Sequence, residues 1–180
     1  LADLDGDGDA DMVISDGIDT VWVGHSKTTW SWQFEAVLKA KAPGIFAVAV
    51  TDADGKGDLH IIVGGHALSY LVLQPGGAWA DQAVERGVTM GGTQSVRGVV
   101  PVDLDLDGLL DLAVATMSCD GSSRLHVFVN QGNGHYLEQA EALGATQFSS
   151  LWGLLATDVD DDGFIDLLTL PETCESAAGG

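Results

Sequence analysis

Residues 103–111 read DLDLDGLLD, and this Asp-rich segment recurs three more times along the chain. Its counterparts at 3–11, 52–60 and 158–166 read DLDGDGDAD, DADGKGDLH and DVDDDGFID. The first residues of consecutive segments are 49, 51 and 55 positions apart. A period of about 50 residues indicates a repeat architecture, in which each repeat is one supersecondary unit.

Short apolar runs flank each Asp-rich segment. One run precedes the segment, as at 45–51, and two follow it, as at 59–63 and 68–73. These runs are rich in β-branched residues and bounded by Gly and Asp, which is typical of buried strands. A polar or Gly-rich turn then leads to an aromatic residue, such as Trp79 or Tyr136, and to a fourth, more polar strand. Four strands per repeat is the size of one β-propeller blade.

The pattern therefore predicts an all-β fold of four-stranded antiparallel propeller blades. A β-sandwich is the alternative, but it does not require a fixed period. We expect one partial propeller domain over 1–180, with about three to four blades and with three, four, four and two strands in successive repeats. The repeats fall at approximately 1–43, 44–94, 95–148 and 149–180, the first and last incomplete. Such a segment would be completed by the rest of the same propeller or by partner chains.

The charge of the chain is strongly acidic and unevenly distributed. There are 27 acidic and 7 basic residues, a net charge of −20, and 46% apolar residues. The apolar share excludes an acidic disordered tail, and the few scattered cations cannot form a nucleic-acid-binding face. No apolar stretch is long enough to predict membrane insertion. Of the 21 Asp residues, 17 lie in the four repeated segments, so the acidity belongs to their chemistry.

The Asp-rich segments have the residue pattern of cation-binding loops. In residues 103–111 carboxylates occupy positions 1, 3, 5 and 9, and Gly108 occupies position 6. Alternate carboxylates on a curled loop can surround one hard cation, and glycine permits the curl and lets the position-7 carbonyl face the ion. A donor set of oxygen alone favours Ca²⁺ over zinc or copper, and Mg²⁺ retains too much of its water. Position 12 lacks the Glu that an EF-hand requires.

The predicted Ca²⁺ ligands are the carboxylates at positions 1, 3, 5 and 9 and the backbone carbonyl at position 7. The carboxylates are Asp3, Asp5, Asp7, Asp11, Asp52, Asp54, Asp103, Asp105, Asp107, Asp111, Asp158, Asp160, Asp162 and Asp166. The carbonyls belong to Asp9, Asp58, Leu109 and Phe164. The alternative is an Asp/Gly-rich turn without metal, which would leave the mutual repulsion of the carboxylates uncompensated.

The second segment departs from this pattern. Lys56 replaces the carboxylate at position 5 and His60 replaces Asp at position 9, which leaves Asp52 and Asp54. Two carboxylates beside an ammonium group should bind Ca²⁺ poorly. Either Lys56 substitutes for the ion by pairing with the two carboxylates, or a weak site persists with water and backbone ligands. We therefore expect three well-formed Ca²⁺ sites and a poor fourth.

The pattern D-x-D-x-D-G-x-x-D followed by an apolar β-run resembles the FG-GAP/VCBS repeat family, which also occurs in integrin α-subunit head domains. Gly98 and Gly153, each five residues before its segment, and the hairpin NQGNGHY at 130–136 support the resemblance, which covers essentially the whole chain. It implies a Ca²⁺-stabilised propeller of an extracellular, cell-surface or periplasmic protein. It implies neither a particular ligand nor an enzyme.

The expected function is therefore non-enzymatic adhesion or assembly scaffolding, since catalytic motifs of the common hydrolase and nucleotide-binding types are absent from the sequence. One alternative is a carbohydrate-binding propeller that uses Trp30, Trp32 or an inter-blade pocket, although these rings are also expected in inter-blade packing. Another is an accessory domain of a secreted polysaccharide-active enzyme. Cys119 and Cys174 occupy equivalent positions of adjacent repeats, either as free thiols, as a mutual disulfide or paired elsewhere.

Overall fold

The structure is a computed structural model that describes residues 2–28, 31–40, 44–90, 94–118, 122–139 and 151–170. Regular structure in these residues is entirely β, and they contain no helix that is long and apolar enough to cross a membrane. The thirteen strands within them are β1 (Met12–Ser15), β2 (Thr20–Thr28), β3 (Ser31–Lys39), β4 (Ile45–Thr51), β5 (His60–Gly65), β6 (Leu68–Leu73), β7 (Trp79–Asp81), β8 (Ser95–Val102), β9 (Asp111–Met117), β10 (Ser123–Asn130), β11 (Tyr136–Glu138), β12 (Gly153–Thr157) and β13 (Asp166–Leu170).

These strands form four antiparallel sheets, which we call blades 1 to 4. Their strand orders are β1-β2-β3, β4-β5-β6-β7, β8-β9-β10-β11 and β12-β13. Across the described ranges the blades thus contain three, four, four and two strands, and each is a simple meander. The predicted all-β fold of propeller blades is confirmed. The repeat boundaries stay predictions, because 41–43, 91–93 and 140–150 lie outside the described residues.

The second strand of each four-stranded blade is covered on both faces. All six residues of β5 and the first six of β9 are buried. A strand covered on both faces has no solvent-facing side, so apolar residues run without a break through 61–63 and 112–115. The outermost strand β3 is exposed at most of its positions, and polar residues alternate with apolar ones over 31–36.

Neighbouring blades pack face to face, and the hydrophobic core lies between them. The first strand of blade 3, β8, contacts β4 and β5 of blade 2 and β12 of blade 4. One buried cluster contains Val23 of blade 1 and Ile61 of blade 2, and a second contains Tyr70 and Val96 of blades 2 and 3. A third cluster joins blades 3 and 4. Contacts between first strands place these strands innermost, as in a propeller.

A glycine singled out in the sequence lies where two inner strands come close. A Cβ added to Gly98 of β8 would lie 3.1 Å from the backbone nitrogen of Leu154 in β12. The absence of a side chain therefore permits the close approach of blades 3 and 4.

Each Asp-rich loop occupies the same place in its blade, between the first and second strands. Residues 52–59 join β4 to β5, 103–110 join β8 to β9, and 158–165 join β12 to β13. In blade 1 the loop precedes β1, and Ala2 pairs with Asp11 in an antiparallel bridge. Because the inner strands lie side by side, the four loops lie at the same end of these strands.

Candidate metal centre

A left-handed backbone at positions 4 and 6 curls every Asp-rich loop. The residues with positive φ are Gly6, Gly55, Leu106 and Asp161 at position 4, and Gly8, Gly57, Gly108 and Gly163 at position 6. The sequence predicts the role of the position-6 glycine but not that of position 4, which two side-chain-bearing residues occupy. Leu106 has a φ of 61° and Asp161 a φ of 62°, a conformation that a Cβ atom disfavours.

The position-1 carboxylate holds this curl by accepting backbone hydrogen bonds. In the third loop Asp103 Oδ1 accepts the N–H of Asp107 at 3.1 Å, and Oδ2 accepts that of Gly108 at 2.9 Å. The same two bonds recur from position 1 to positions 5 and 6 in the other three loops. The four loops therefore have the same backbone conformation, although their residues at other positions differ.

Three of the loops bring their carboxylates together. The residues whose ligand oxygens lie within 4.8 Å of one another are Asp3, Asp5 and Asp7 in the first loop, Asp103, Asp105 and Asp111 in the third, and Asp158, Asp160 and Asp166 in the fourth. Ca²⁺–oxygen distances are about 2.3–2.6 Å, so two ligands of one ion are at most about 5 Å apart. These donor sets therefore fit a calcium ion in both chemistry and spacing.

The position-9 carboxylate also connects the loop to the blade. Asp11 and Asp111 are fully buried. Asp111 Oδ2 accepts the N–H of Leu104 at 3.0 Å, and Oδ1 accepts that of Asn130 in β10 at 2.8 Å. Asp11 makes the corresponding bonds, accepting the N–H of Leu4 and that of Ser26 in β2. Each carboxylate oxygen retains a second lone pair, so this role is compatible with metal ligation.

Burial makes the ionised form of Asp111 unfavourable. Desolvation raises the pKa of this carboxyl above its ordinary value, and the charges of Asp105 and Asp107 raise it further. The backbone hydrogen bonds from Asn130 and Leu104 lower the pKa but do not cancel these effects. A nearby cation would offset the unfavourable charge.

The position-7 residues, whose carbonyls are the predicted ligands, are held by their own N–H groups in three loops. The position-7 residue donates its N–H to the position-5 carboxylate in three loops, with distances of 2.9 Å for Asp9, 2.8 Å for Leu109 and 2.9 Å for Phe164. Asp58 in the second loop is exposed, and Lys56 at position 5 has no carboxylate to accept its N–H. Ligation by these four carbonyls stays a prediction.

The second loop has an ammonium group where the others have an acid. Lys56 Nζ lies 3.1 Å from Asp54 Oδ2. Burial acts to raise the pKa of Asp54, but the side-chain and backbone hydrogen bonds and the charge of Lys56 outweigh it, so the pKa is lowered. His60 at position 9 is buried, and its Nδ1 lies 3.2 Å from the Tyr70 hydroxyl oxygen. Burial, followed by the Arg86 charge, lowers the pKa of His60.

His25 lies beside the first loop, which the sequence does not predict. Its Nδ1 lies 3.2 Å from Asp5 Oδ2 and 3.6 Å from Asp11 Oδ1. His25 lies close to the loop because β2 pairs with β1. The spacing of residues along the chain does not predict such a contact.

The residues considered for sugar or thiol chemistry are only partly described. Trp32 is half-buried in β3, opposite Ser26 of β2. Trp30, Cys119 and Cys174 lie outside the described residues. An inter-blade cavity of about 540 Å³ lies between blades 1 and 2, lined by residues that include Ile45, Val63 and His66.

Fold and loops together define a propeller-type segment in which each blade has an Asp-rich loop after its first strand. Residues 103–169 match the model of the FG-GAP-like repeat family. The chain thus contains an FG-GAP-like repeat that begins at the third Asp-rich loop and ends in β13, and the resemblance is confirmed over these residues. Comparison with curated proteins found no match.

Proposed function

We propose that the chain is a non-enzymatic, calcium-binding β-propeller segment of an extracellular, cell-surface or periplasmic protein. In this proposal bound Ca²⁺ makes the blade loops rigid, and the blades serve adhesion or act as an assembly scaffold. The observation that carries the proposal is the convergence of three carboxylates within 4.8 Å in three separate blades, on loops of one conformation.

The residues that would hold calcium are those whose carboxylates converge, together with the remaining acids at positions 5 and 9. In the third loop these are Asp103, Asp105, Asp107 and Asp111. Calcium would supply the positive charge that offsets repulsion among these groups. Asp103 and Asp111 already hold the backbone in the binding conformation, so little reorganisation is needed on binding.

For the second loop we propose that the Lys56 ammonium takes the place of the ion. This loop keeps the positive φ of Gly55 and Gly57 and the two hydrogen bonds that Asp52 accepts. The ammonium pairs with Asp54, one of the two remaining carboxylates. The loop would then keep its shape without Ca²⁺, and the chain would bind three ions rather than four.

A location outside the cytoplasm is supported by the family resemblance, because FG-GAP repeats are typically found in extracellular or cell-surface domains. Weak calcium sites of this modular type suit the millimolar Ca²⁺ found outside cells. For a partner we propose further propeller blades, either of the same protein or of another chain, and a protein or glycan ligand on the assembled surface.

Two neighbouring aspartates of the fourth loop offer a matched test. Asp160 belongs to the converging cluster, whereas Asp161 at position 4 lies outside it and has the left-handed φ that asparagine tolerates. Calorimetric titration with Ca²⁺ should give three sites for the wild type and for Asp161→Asn. Asp160→Asn should weaken or remove one of them. Equal titrations for both variants, or absence of binding at millimolar Ca²⁺, would refute the proposal.

A further inference from the structure

Three side chains at equivalent positions of consecutive blades meet at the end of the inner strands opposite the Asp-rich loops. Phe46, Arg97 and Trp152 each lie six residues before the first Asp of their loop. An extended strand of six residues spans about 20 Å, so this group is remote from the loops. We call these three residues the axial cluster.

The inner strands are deformed at the axial cluster. The pairing of β4 with β5 shifts register between Ile45 and Ala47, and the pairing of β8 with β9 shifts between Val96 and Gly98. Phe46 and Arg97 are therefore the irregular residues of two adjacent strands. Bulges of this kind redirect a side chain and are frequent beside functional sites.

The guanidinium of Arg97 lies over the faces of two aromatic rings. Its Cζ is 3.9 Å from the centroid of Phe46 and 5.0 Å from that of Trp152. The rings are 42% and 44% exposed, so the cluster opens to solvent. Arg97 is half-buried and its Nε is enclosed, so the terminal Nη groups are the part of the guanidinium that a ligand can reach.

Arg97 has no anionic partner in the part of the chain that the structure describes. No carboxylate of these residues forms an ion pair with it, although the chain has 27 acidic residues. Its Nε is buried and has no hydrogen-bond acceptor among the described residues. A guanidinium that no carboxylate neutralises keeps its charge and its remaining donors for a ligand.

We propose that the axial cluster is a binding site for the carboxylate of an acidic side chain on a protein partner. The planar edge of a guanidinium matches a carboxylate through two parallel charge-assisted hydrogen bonds. Exposed aromatic rings around a central arginine are the composition of energetically dominant residues at protein interfaces. A uronic acid also carries a carboxylate, but the inner faces of both rings are covered by Arg97 and leave less surface for sugar stacking.

The test uses the Nε–H resonance of Arg97, which is one of only three arginines. The probe is the peptide acetyl-Leu-Glu-Leu-amide, with its Gln analogue as the uncharged control. We expect the glutamate peptide to shift the Arg97 resonance in a saturable way and the Gln peptide to leave it unchanged. Arg97→Lys should bind about tenfold more weakly, because a point charge replaces the bidentate fork. Arg124→Gln, which removes an exposed arginine, should bind like the wild type.

Phe46→Leu provides a second variant, which keeps Arg97 but removes one ring, and it should also weaken binding of the glutamate peptide. The proposal fails if the two peptides act alike, if the glutamate peptide has no effect at millimolar concentration, or if digalacturonate binds more tightly than the peptide. Asp160→Asn should leave peptide binding unchanged, so failure of this site is distinguishable from failure of the calcium proposal.

Discussion

At the scale of single residues, position 4 of the loops carries backbone strain in blade 3. Leu106 has a φ of 61° and a side chain that is 55% exposed, so it adopts a left-handed conformation without compensating burial. A non-glycine residue in this conformation costs roughly 1–2 kcal/mol. Gly6 and Gly55 occupy the same position in blades 1 and 2 without that cost.

Leu106→Gly should therefore raise the free energy of unfolding by up to about 1 kcal/mol, the strain relief being partly offset by the greater freedom of glycine in the unfolded chain. Leu137→Gly is the matched control, because Leu137 is 54% exposed and lies in strand β11. It should lower stability. Urea unfolding in the presence of a calcium chelator measures the free energy of unfolding of both variants. A Leu106→Gly variant less stable than the wild type would contradict the presence of backbone strain at this position.

Lys56 is the residue on which the second loop depends in this account. Lys56→Met keeps most of the aliphatic chain but removes the ammonium 3.1 Å from Asp54 Oδ2. The Lys56 side chain is 64% exposed, so the expected loss of stability is at most about 1 kcal/mol. Lys39→Met, whose ammonium lies 4.0 Å from Asp19 Oδ2, should lose less. Urea unfolding without Ca²⁺ checks this, and equal values for the two variants would be evidence against ion replacement by Lys56.

At the scale of elements, Asn130 at the end of β10 links two loops. Its Nδ2 donates to the carbonyl of Ala53 in the second loop at 2.6 Å and to that of Leu110 in the third at 3.1 Å. Its backbone N–H donates to Asp111. Asn130 is buried, so these bonds connect blades 2 and 3 away from water.

Asn130→Ala should cost about 2–4 kcal/mol, because two carbonyls lose a buried donor. Asn133→Gly is the control in the same hairpin: Asn133 is exposed with a φ of 55°, which glycine adopts readily, and stability should be unchanged or slightly higher. Chemical denaturation gives both values. A loss below about 0.5 kcal/mol for Asn130→Ala would show that the link between the loops contributes little.

The strands could be predicted from the sequence where burial on both faces produces an apolar run. The predicted run at 68–73 coincides with β6, and that at 45–51 coincides with β4. Strand β2 extends beyond the apolar run at 20–23: it continues to Thr28 through polar residues, which are held by pairing with β3 rather than by burial. The alternation and the apolarity of a sequence do not predict an extension of this kind.

The loops could be predicted only in part, because a sequence pattern shows the residues of one loop but not those that reach it from other strands. Asp spacing along the chain identifies the carboxylates that converge, because neighbouring residues of one loop form the cluster. His25, Arg97 and Asn130 act through strand pairing or across blades, so no local pattern marks them. The left-handed conformation at position 4 was not predicted in blades 3 and 4, because leucine and aspartate do not favour that conformation as glycine does.

At the scale of the whole molecule, blade 4 presents an uncovered apolar face. Leu155 and Leu168 pair across β12 and β13, and both are exposed, as is Leu170. Exposed apolar strands favour association with other sheets. This face fits the proposal that further blades or a partner chain pack against blade 4.

The chain by itself should therefore self-associate as its concentration rises, and Leu168→Lys should reduce this association. Leu137→Lys introduces the same change at an exposed leucine of β11 and should leave the association unchanged. Sedimentation velocity over a range of concentrations distinguishes the variants. A wild-type chain that stays monomeric throughout would contradict the assignment of this face as an interface.

Acidity is the other property of the whole molecule, and under the proposed function it should make stability depend on calcium. With a net charge of −20 concentrated in the loops, the metal-free chain contains repulsion that bound Ca²⁺ would relieve. Each site should add about 1.4–2.7 kcal/mol when free Ca²⁺ exceeds its Kd by ten- to a hundredfold.

Thermal unfolding in EGTA and at increasing Ca²⁺ tests this account most directly, with equal concentrations of Mg²⁺ as the control. We predict that Tm rises steadily with the logarithm of free Ca²⁺ and much less with Mg²⁺. A Tm that is the same in EGTA and in millimolar Ca²⁺ would contradict the claim that these loops are calcium sites.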